Sequence, residues 1–308
     1  MVTKPVLSIC IPTYNRAELL DYVLNGIFSQ CNEDILQKIE VVISDNDSND
    51  ETWKIVDTYL TKHKYNLQYH KNLTNIWSNK NVIKVTEYAQ WKYIRLLADD
   101  DYLTDFALEY VLDIIKKTDF DLMLAGVQFS ENTNIKVNKK HNSFNVFNWI
   151  GEYISYLYDH NLSYQNLISF FSFYSIVIVK NSYFKKWLNS KKSSLWNTNN
   201  FPHDIIVYHN LKDKKIVIPN NVFVIGRILN ESYGWSKKLI SDLEDCMNTI
   251  EYNNDLQWNQ KWKKIKNICI RGWKRTICLW ILLKKLKINY KTNKFLKKIY
   301  YFYKKYLQ

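Results

Sequence analysis

The sequence predicts an α/β fold: a mixed, mostly parallel sheet flanked by helices, with a basic amphipathic helical tail at the C-terminal end. Three observations predict it. Short β-branched apolar runs alternate with amphipathic stretches of helical length through residues 6–104. Polar clusters close three of those runs, at 12–16, 45–50 and 99–101. Charge is concentrated at one end: residues 251–308 hold 16 Lys and Arg against 2 Asp and Glu, while the first 250 hold 27 against 28.

Taken in order, 6–11 is a buried strand stopped by Pro12. Leu19, Leu20, Val23, Leu24, Ile27 and Phe28 then mark one face of a helix over 17–30. A second strand covers 39–44, and the polar residues 45–50 cap a helix that runs through Leu60. A third strand at 67–70, a helix at 75–89 and a fourth strand at 93–98 follow. That fourth strand delivers Asp99, Asp100 and Asp101 together. A helix over 105–116 comes next, for which Asp101 or Thr104 is a candidate cap.

Beyond it, 121–129 reads as one strand, 131–141 as a polar excursion and 147–158 as an aromatic-rich helix. Residues 162–179 contain no charge, and their densest apolar part, 167–179, is broken by three serines. At 13 residues that part is too short to cross a bilayer and reads as a buried strand or the wall of a binding site. The aromatics Tyr153, Tyr156, Phe170, Phe171, Phe173 and Tyr174 suit stacking on a ligand ring, but most of them belong in a core. A helical segment to Leu211 and strands at 215–218 and 222–228 complete the body.

Composition narrows the function. Apolar content of 46% over 308 residues supports a sizeable core, and six Gly with four Pro leave little room for flexible linkers. Five cysteines, an odd number with no Cys-x-x-Cys pair, suit reduced thiols in a cytoplasm better than a disulfide framework or a zinc site. The first residues do not read as a signal peptide. Neither a Gly-x-Gly-x-x-Gly fingerprint nor a P-loop is present.

Three adjacent carboxylates repel one another unless a cation sits among them, and the hard ions Mg²⁺ and Mn²⁺ take such oxygens. In α/β sheets ligands bind outside the carboxyl ends of the strands, where all three polar clusters fall. Together these features point to a nucleotide site. Asp204, beside His203, is a candidate helix N-cap. Arg227 suits a bidentate phosphate contact and equally a solvated surface position.

On a helical wheel Trp258, Trp262, Ile265, Cys269, Trp273, Thr276, Trp280 and Leu283 share one arc, with most lysines elsewhere. Such a helix reads as attaching to an anionic membrane surface. Packing on the body and an oligomer contact are the competing readings. No nucleic-acid module is recognisable, so nucleic acid is not an expected partner.

The stretches Ser8-Ile9-Cys10-Ile11-Pro12-Thr13-Tyr14-Asn15-Arg16 and Glu40-Val41-Val42-Ile43-Ser44-Asp45-Asn46-Asp47-Ser48, followed by the triple Asp, resemble bacterial family 2 glycosyltransferases of the GT-A fold. The order and spacing of the three motifs make the resemblance specific; it is strong over 4–104 and traceable to about 238. It implies a GT-A domain over 1–240, with a nucleotide-binding half (1–104) and an acceptor half (105–240), and a membrane-associating tail over 241–308. By that resemblance Pro12, Thr13, Tyr14 and Arg16 meet the nucleotide, Asp45 bonds the base and Asp47 lies beside it. Asp99, Asp100 and Asp101 hold Mn²⁺ or Mg²⁺ on the sugar diphosphate, Arg227 folds over that diphosphate, and Asp204 is the base. The implied reaction is inverting hexosyl transfer from a nucleotide-sugar, a UDP-sugar first, to a lipid-linked glycan. Its implied setting is cell-surface polysaccharide assembly (lipopolysaccharide or capsule) at the cytoplasmic face of the membrane.

One departure matters. Many members read Asp-x-Asp-Asp, and Ala98 stands where the first Asp would be. Either Asp99 and Asp101 form the metal pair, or Asp100 holds the metal with Asp101 beside it. Two other classes compete: an inactive sugar-nucleotide-binding protein of the same fold, and a nucleotidyltransferase. The intact acidic triplet with Asp204 weighs against the first. The second should show a Gly-rich or basic loop after the first strand, which 12–16 is not.

Overall fold

The computed structural model describes residues 5–62, 66–130, 137, 143–159, 173–189 and 214–227, together with 259, 260, 263, 264, 266, 267 and 271. Strands β1 (Leu7–Thr13) and β2 (Ile39–Asp45) are buried at every position, which is why both read as largely apolar runs; Ser8 and Glu40, which interrupt them, bond each other. They pair in parallel from Leu7 with Ile39 to Thr13 with Asp45. Strand β3 (Leu67–Lys71) extends the sheet beyond β2, and β4 (Tyr93–Leu96) lies on the other side of β1, both in parallel. Helices α1 (Ala17–Phe28), α2 (Glu33–Leu36), α3 (Thr52–Lys62) and α4 (Ser78–Tyr88) make the crossovers. The chain winds outward from β1 to β3 and then returns to set β4 against β1. That reversal opens a crevice between the C-terminal ends of β1 and β4, where open α/β sheets take their ligands.

The large sheet continues through strands of mixed direction, in the order β3-β2-β1-β4-β9-β6-β10-β8. Here β6 is Leu122–Leu124, β8 Phe144–Phe147, β9 Val177–Lys180 and β10 Ile216–Pro219. A second sheet has the order β5-β11-β7, with β5 Tyr102–Leu103, β7 Gly126–Ser130 and β11 Val222–Arg227. Further helices are α5 (Ala107–Lys117), α6 (Ile150–Asp159) and α7 (Asn181–Asn189).

Several expected elements are corrected. Residues 121–129 do not form one strand: β6 belongs to the large sheet and β7 to the small one. Gly126 sits at the division, where a Cβ would lie 2.4 Å from the Asn221 carbonyl oxygen and 3.2 Å from the Val222 Cα. Both are backbone atoms of the chain that β7 pairs with, so neither can swing aside. Gly126→Ala is expected to destabilise the protein by about 1–3 kcal/mol through overpacking. The measurement is the urea midpoint, and an unchanged midpoint would show that the β7–β11 pairing adapts.

Helix α5 begins after Phe106 and takes its side-chain cap from Gln30, whose Oε1 accepts from Leu108 N at 3.2 Å, so neither the Asp101 nor the Thr104 side chain caps it. Thr104 Oγ1 donates instead to the Val222 carbonyl at 3.2 Å, tying β5 to β11. The helices expected from 75 and 147 start later, at Ser78 and Ile150, and 144–147 pairs as β8. Tyr153 is core, and Tyr156, Phe173 and Tyr174 pack against the core; Phe170 and Phe171 lie outside the described residues.

Cys10 and Cys31 are free thiols; the other three cysteines lie outside the described residues. The described residues of 259–271 are all helical, with Lys263, Lys264 and Arg271 exposed, while the Trp-rich arc lies outside them. Among the described residues no helix is long and apolar enough to cross a membrane.

Candidate active site

After Thr13 the chain turns into α1 through Tyr14, Asn15 and Arg16. Asn15 has φ 50°, a left-handed conformation that Asn tolerates better than most residues. The loop after β2 holds this turn. Asn15 N donates to Ser48 Oγ at 2.8 Å, Asn49 N donates to Asn15 Oδ1 at 2.8 Å, and Ala17 N donates to Asp50 Oδ2 at 3.0 Å. Helix α1 has no cap from its own N-cap residue, Arg16, so Asp50 supplies one from the neighbouring loop. Burial works to raise the Asp50 carboxyl, but its bonds from Thr52 and Ala17 outweigh that and hold it below the usual range.

Asp45 is buried at the end of β2, and both of its oxygens are engaged within the protein. Oδ1 accepts from Ser48 N at 2.8 Å and Oδ2 from the Tyr69 hydroxyl at 2.5 Å. Asp47, with φ 68°, is more exposed than Asp45, and Lys71 Nζ stands 3.8 Å from it.

Two buried carboxamides that sequence reasoning missed lash the strand ends together. Asn81 Nδ2 donates to the Ser44 carbonyl at 2.8 Å and the Thr13 carbonyl at 3.4 Å. Asn46 Oδ1 accepts from Asn72 Nδ2 at 3.1 Å and Ile76 N at 2.9 Å. The signal for both was a polar residue inside or beside an apolar pattern, which sequence alone reads as solvent-facing.

Across the crevice stand the three aspartates, only 4%, 5% and 3% exposed. Thr13 Oγ1 donates to Asp99 Oδ2 at 2.8 Å, and Arg16 Nη1 reaches Asp99 Oδ1 at 2.6 Å and Asp100 Oδ2 at 3.2 Å. The turn after β1 and the end of β4 are thereby joined at the switch point. Asp101 has other partners: Ser175 Oγ donates to its Oδ2 at 2.5 Å and Arg227 N to its Oδ1 at 3.1 Å. Ser175 Oγ also accepts from Ala98 N at 2.9 Å, so this one hydroxyl fixes both flanks of the acidic run. Its signal in the sequence was a serine interrupting an apolar stretch.

Burial raises the Asp99 carboxyl to about 6, with Asp100 adding to the rise and Arg16 opposing it. Asp101 is pushed well above the usual range, first by burial and then by Asp100. Burial would lower the Arg16 guanidinium, but Asp99 and Asp100 outweigh it and raise it.

The donor set suits a hard divalent cation. One guanidinium pairs with two of three adjacent buried carboxylates, an excess of negative charge that a cation would offset. Among the described residues no three acidic, His or Cys side chains converge as a complete metal cage. A cation held here would take one or two carboxylates and complete its shell from phosphate and water. The Arg227 side chain is exposed at the end of β11. Asp204 and His203 lie outside the described residues.

Comparison with known proteins agrees with this geometry. The chain is 26% identical over 210 residues to the abequosyltransferase RfbV of Salmonella typhimurium, a match spanning 66% of this chain and 60% of that enzyme. The structure superimposes on S. aureus TarS 1-349 in complex with UDP-GlcNAc with a TM-score of 0.58 at 16% identity, covering 87% of this chain and 71% of that one. It superimposes on the Pyrobaculum calidifontis mannosyltransferase PcManGT, in complex with GDP-Man and Mn²⁺, with a TM-score of 0.59 at 12% identity, covering 99% and 85%. These two likenesses show a shared GT-A-type fold. The family model for Glycosyl transferase family 2 matches residues 8–186, more than half of the chain, and the protein belongs to that family.

Proposed function

We propose that the chain transfers a hexose-class sugar, with inversion, from a nucleotide-sugar donor to a hydroxyl of a glycan acceptor. The observation that supports this reading best is the switch-point crevice, where Thr13 and Arg16 after β1 meet Asp99 and Asp100 after β4. The donors bound to the two structural neighbours, UDP-GlcNAc and GDP-Man, support a nucleoside-diphosphate sugar, and we take a UDP-sugar as the first to test. The abequosyltransferase relative supports assembly of a cell-surface polysaccharide.

In this reading the exposed Tyr14 ring and Asp47 meet the nucleoside, while Asp45 shapes their loop from inside. Arg16, oriented by Asp99 and Asp100, meets the diphosphate together with the Arg227 side chain. Asp99 and Asp100, with Asp101 behind them, would hold Mn²⁺ or Mg²⁺, which when bound neutralises the diphosphate as it leaves. Asp204 takes the proton from the acceptor hydroxyl, and a single carboxylate base suffices for direct displacement and inversion. We assign catalysis to 1–240 and attachment to an anionic membrane, at its cytoplasmic face, to the basic tail over 241–308. The acceptor is then a lipid-linked glycan, with an oligomer contact the competing use of the tail.

A panel of nucleotide sugars tests the reading. One of them should be consumed, turnover should stop in chelator, and added Mn²⁺ or Mg²⁺ should restore it; undiminished turnover in chelator would remove the metal from the mechanism. Asp204→Asn should bind the nucleotide like wild type and lose about 10²–10⁴-fold in kcat. A variant that keeps most of its activity would make Asp204 a helix cap.

A further inference from the structure

Among the described residues the two most exposed large hydrophobic side chains are Leu73, at 97%, and Trp77, at 74%. Both lie on the connection from β3 to α4, which leaves the C-terminal edge of the sheet, the rim on which the donor crevice opens. Another exposed indole, Trp53, stands on the same edge in the first turn of α3.

The backbone at Trp77 has φ 73° and ψ 151°, a region that belongs almost entirely to glycine and costs about 1–3 kcal/mol for other residues. Its neighbours hold it there. Trp77 N donates to Asn75 Oδ1 at 2.9 Å, Ile76 N donates to Asn46 Oδ1 at 2.9 Å, and Asn46 Nδ2 donates to Asn75 Oδ1 at 2.9 Å. The carboxamide that lashes the strand ends therefore also fixes the connection, with its indole outward. Residues 71–84 contain Lys71, Lys80 and Lys84 and no Asp or Glu. Trp77, Ile76 and the two α4 lysines line a surface cavity of about 310 Å³, with Glu87 at its far end bonded to Lys84.

Leucine and tryptophan at a loop tip, beside three lysines of which Lys71 faces Asp47 and Lys84 pairs with Glu87 while Lys80 leaves a surplus positive charge, are the complement of an anionic bilayer surface. We infer that the 72–77 connection is a lipid-facing wedge that seats the mouth of the donor crevice on an anionic membrane. The inference rests on the lipid-linked acceptor proposed above and adds a contact on the catalytic body, separate from the tail. A strained, clamped loop suits this role because it displays both side chains without further ordering on contact.

The test uses full-length protein labelled with 5-fluorotryptophan, with the Trp77 resonance assigned by its loss in Trp77→Phe. On vesicles containing phosphatidylglycerol and a nitroxide lipid, the Trp77 resonance should broaden. The double variant Leu73→Ser/Trp77→Gly should bind these vesicles at least ~10-fold more weakly. It should hydrolyse donor in vesicle-free solution at the wild-type rate. It should also melt no lower than wild type, because glycine accepts this backbone without strain. A Trp77 resonance that stays sharp, whether or not other tryptophans broaden, would overturn the wedge. A Trp77 resonance that responds to soluble oligosaccharide and not to lipid would also overturn it and make the cavity a saccharide site. None of the lipid readouts needs turnover, so loss of the functional reading would register separately, as absent donor hydrolysis.

Discussion

Asp99→Asn is expected to lower sugar transfer by about 10²–10³-fold, the usual cost of removing one preorganised electrostatic group from an active site. Asp99 is the residue on which the crevice closes: Thr13 reaches one of its oxygens and Arg16 the other. Neutralising it leaves Asp100, at 3.2 Å, as the carboxylate beside the Arg16 guanidinium and removes a carboxylate from the donor set of the proposed cation. The same change relieves repulsion among three buried carboxylates, so the melting temperature should hold or rise while activity falls. Asp101→Asn should behave differently. Its oxygens serve Ser175 and the backbone of Arg227, so its loss should show first as reduced stability. Activity and melting temperature measured on both variants separate the two roles. Asp99→Asn retaining activity within a few-fold would show that the donor is held elsewhere.

Strands β1, β2 and β4 were legible because each is a largely apolar run buried at every position, and such runs need no partner information to be read, whereas the edge strand β3 has no β-branched residue and is only partly buried. The positions of the polar clusters at strand ends were legible for the same reason. What the sequence hid was pairing. The apolar stretch 121–129 does not announce that its halves belong to different sheets; only the close approach of Asn221 to Gly126 explains the division. Within the site, Thr13, Arg16 and Asp99 were legible as types. Ser175, Asn46, Asn81 and Tyr69 were not, because each acts on a partner distant in sequence and none belongs to a residue class that marks chemistry. The strain at Trp77 was equally invisible, since a tryptophan in a polar loop carries no signal of its backbone angle.

Arg95 offers the second large effect, with the opposite sign. It lies in the middle of β4, flanked by Ile9 on β1 and Ile178 on β9, and is fully buried. Among the described residues none of its three guanidinium nitrogens has a hydrogen-bond partner. Burial alone depresses its pKa to about 9, and no carboxylate offsets the cost. Replacing an unpaired buried charge by an apolar side chain of similar length removes a desolvation penalty without leaving a charge behind. Arg95→Met should therefore stabilise the protein by about 1–4 kcal/mol, several degrees in melting temperature.

The pH dependence follows from linkage. Below the folded pKa the wild-type side chain is charged in both states, so the full penalty is present near neutral pH. As pH rises through about 9, the folded state releases the proton while the unfolded state keeps it, so the unfolded state binds more protons and wild-type stability rises. The advantage of Arg95→Met should consequently be largest near pH 7 and shrink above pH 9. Melting curves of both proteins across that range measure it. An Arg95→Met protein less stable than wild type at neutral pH would mean that the guanidinium is held by a partner that outweighs its burial.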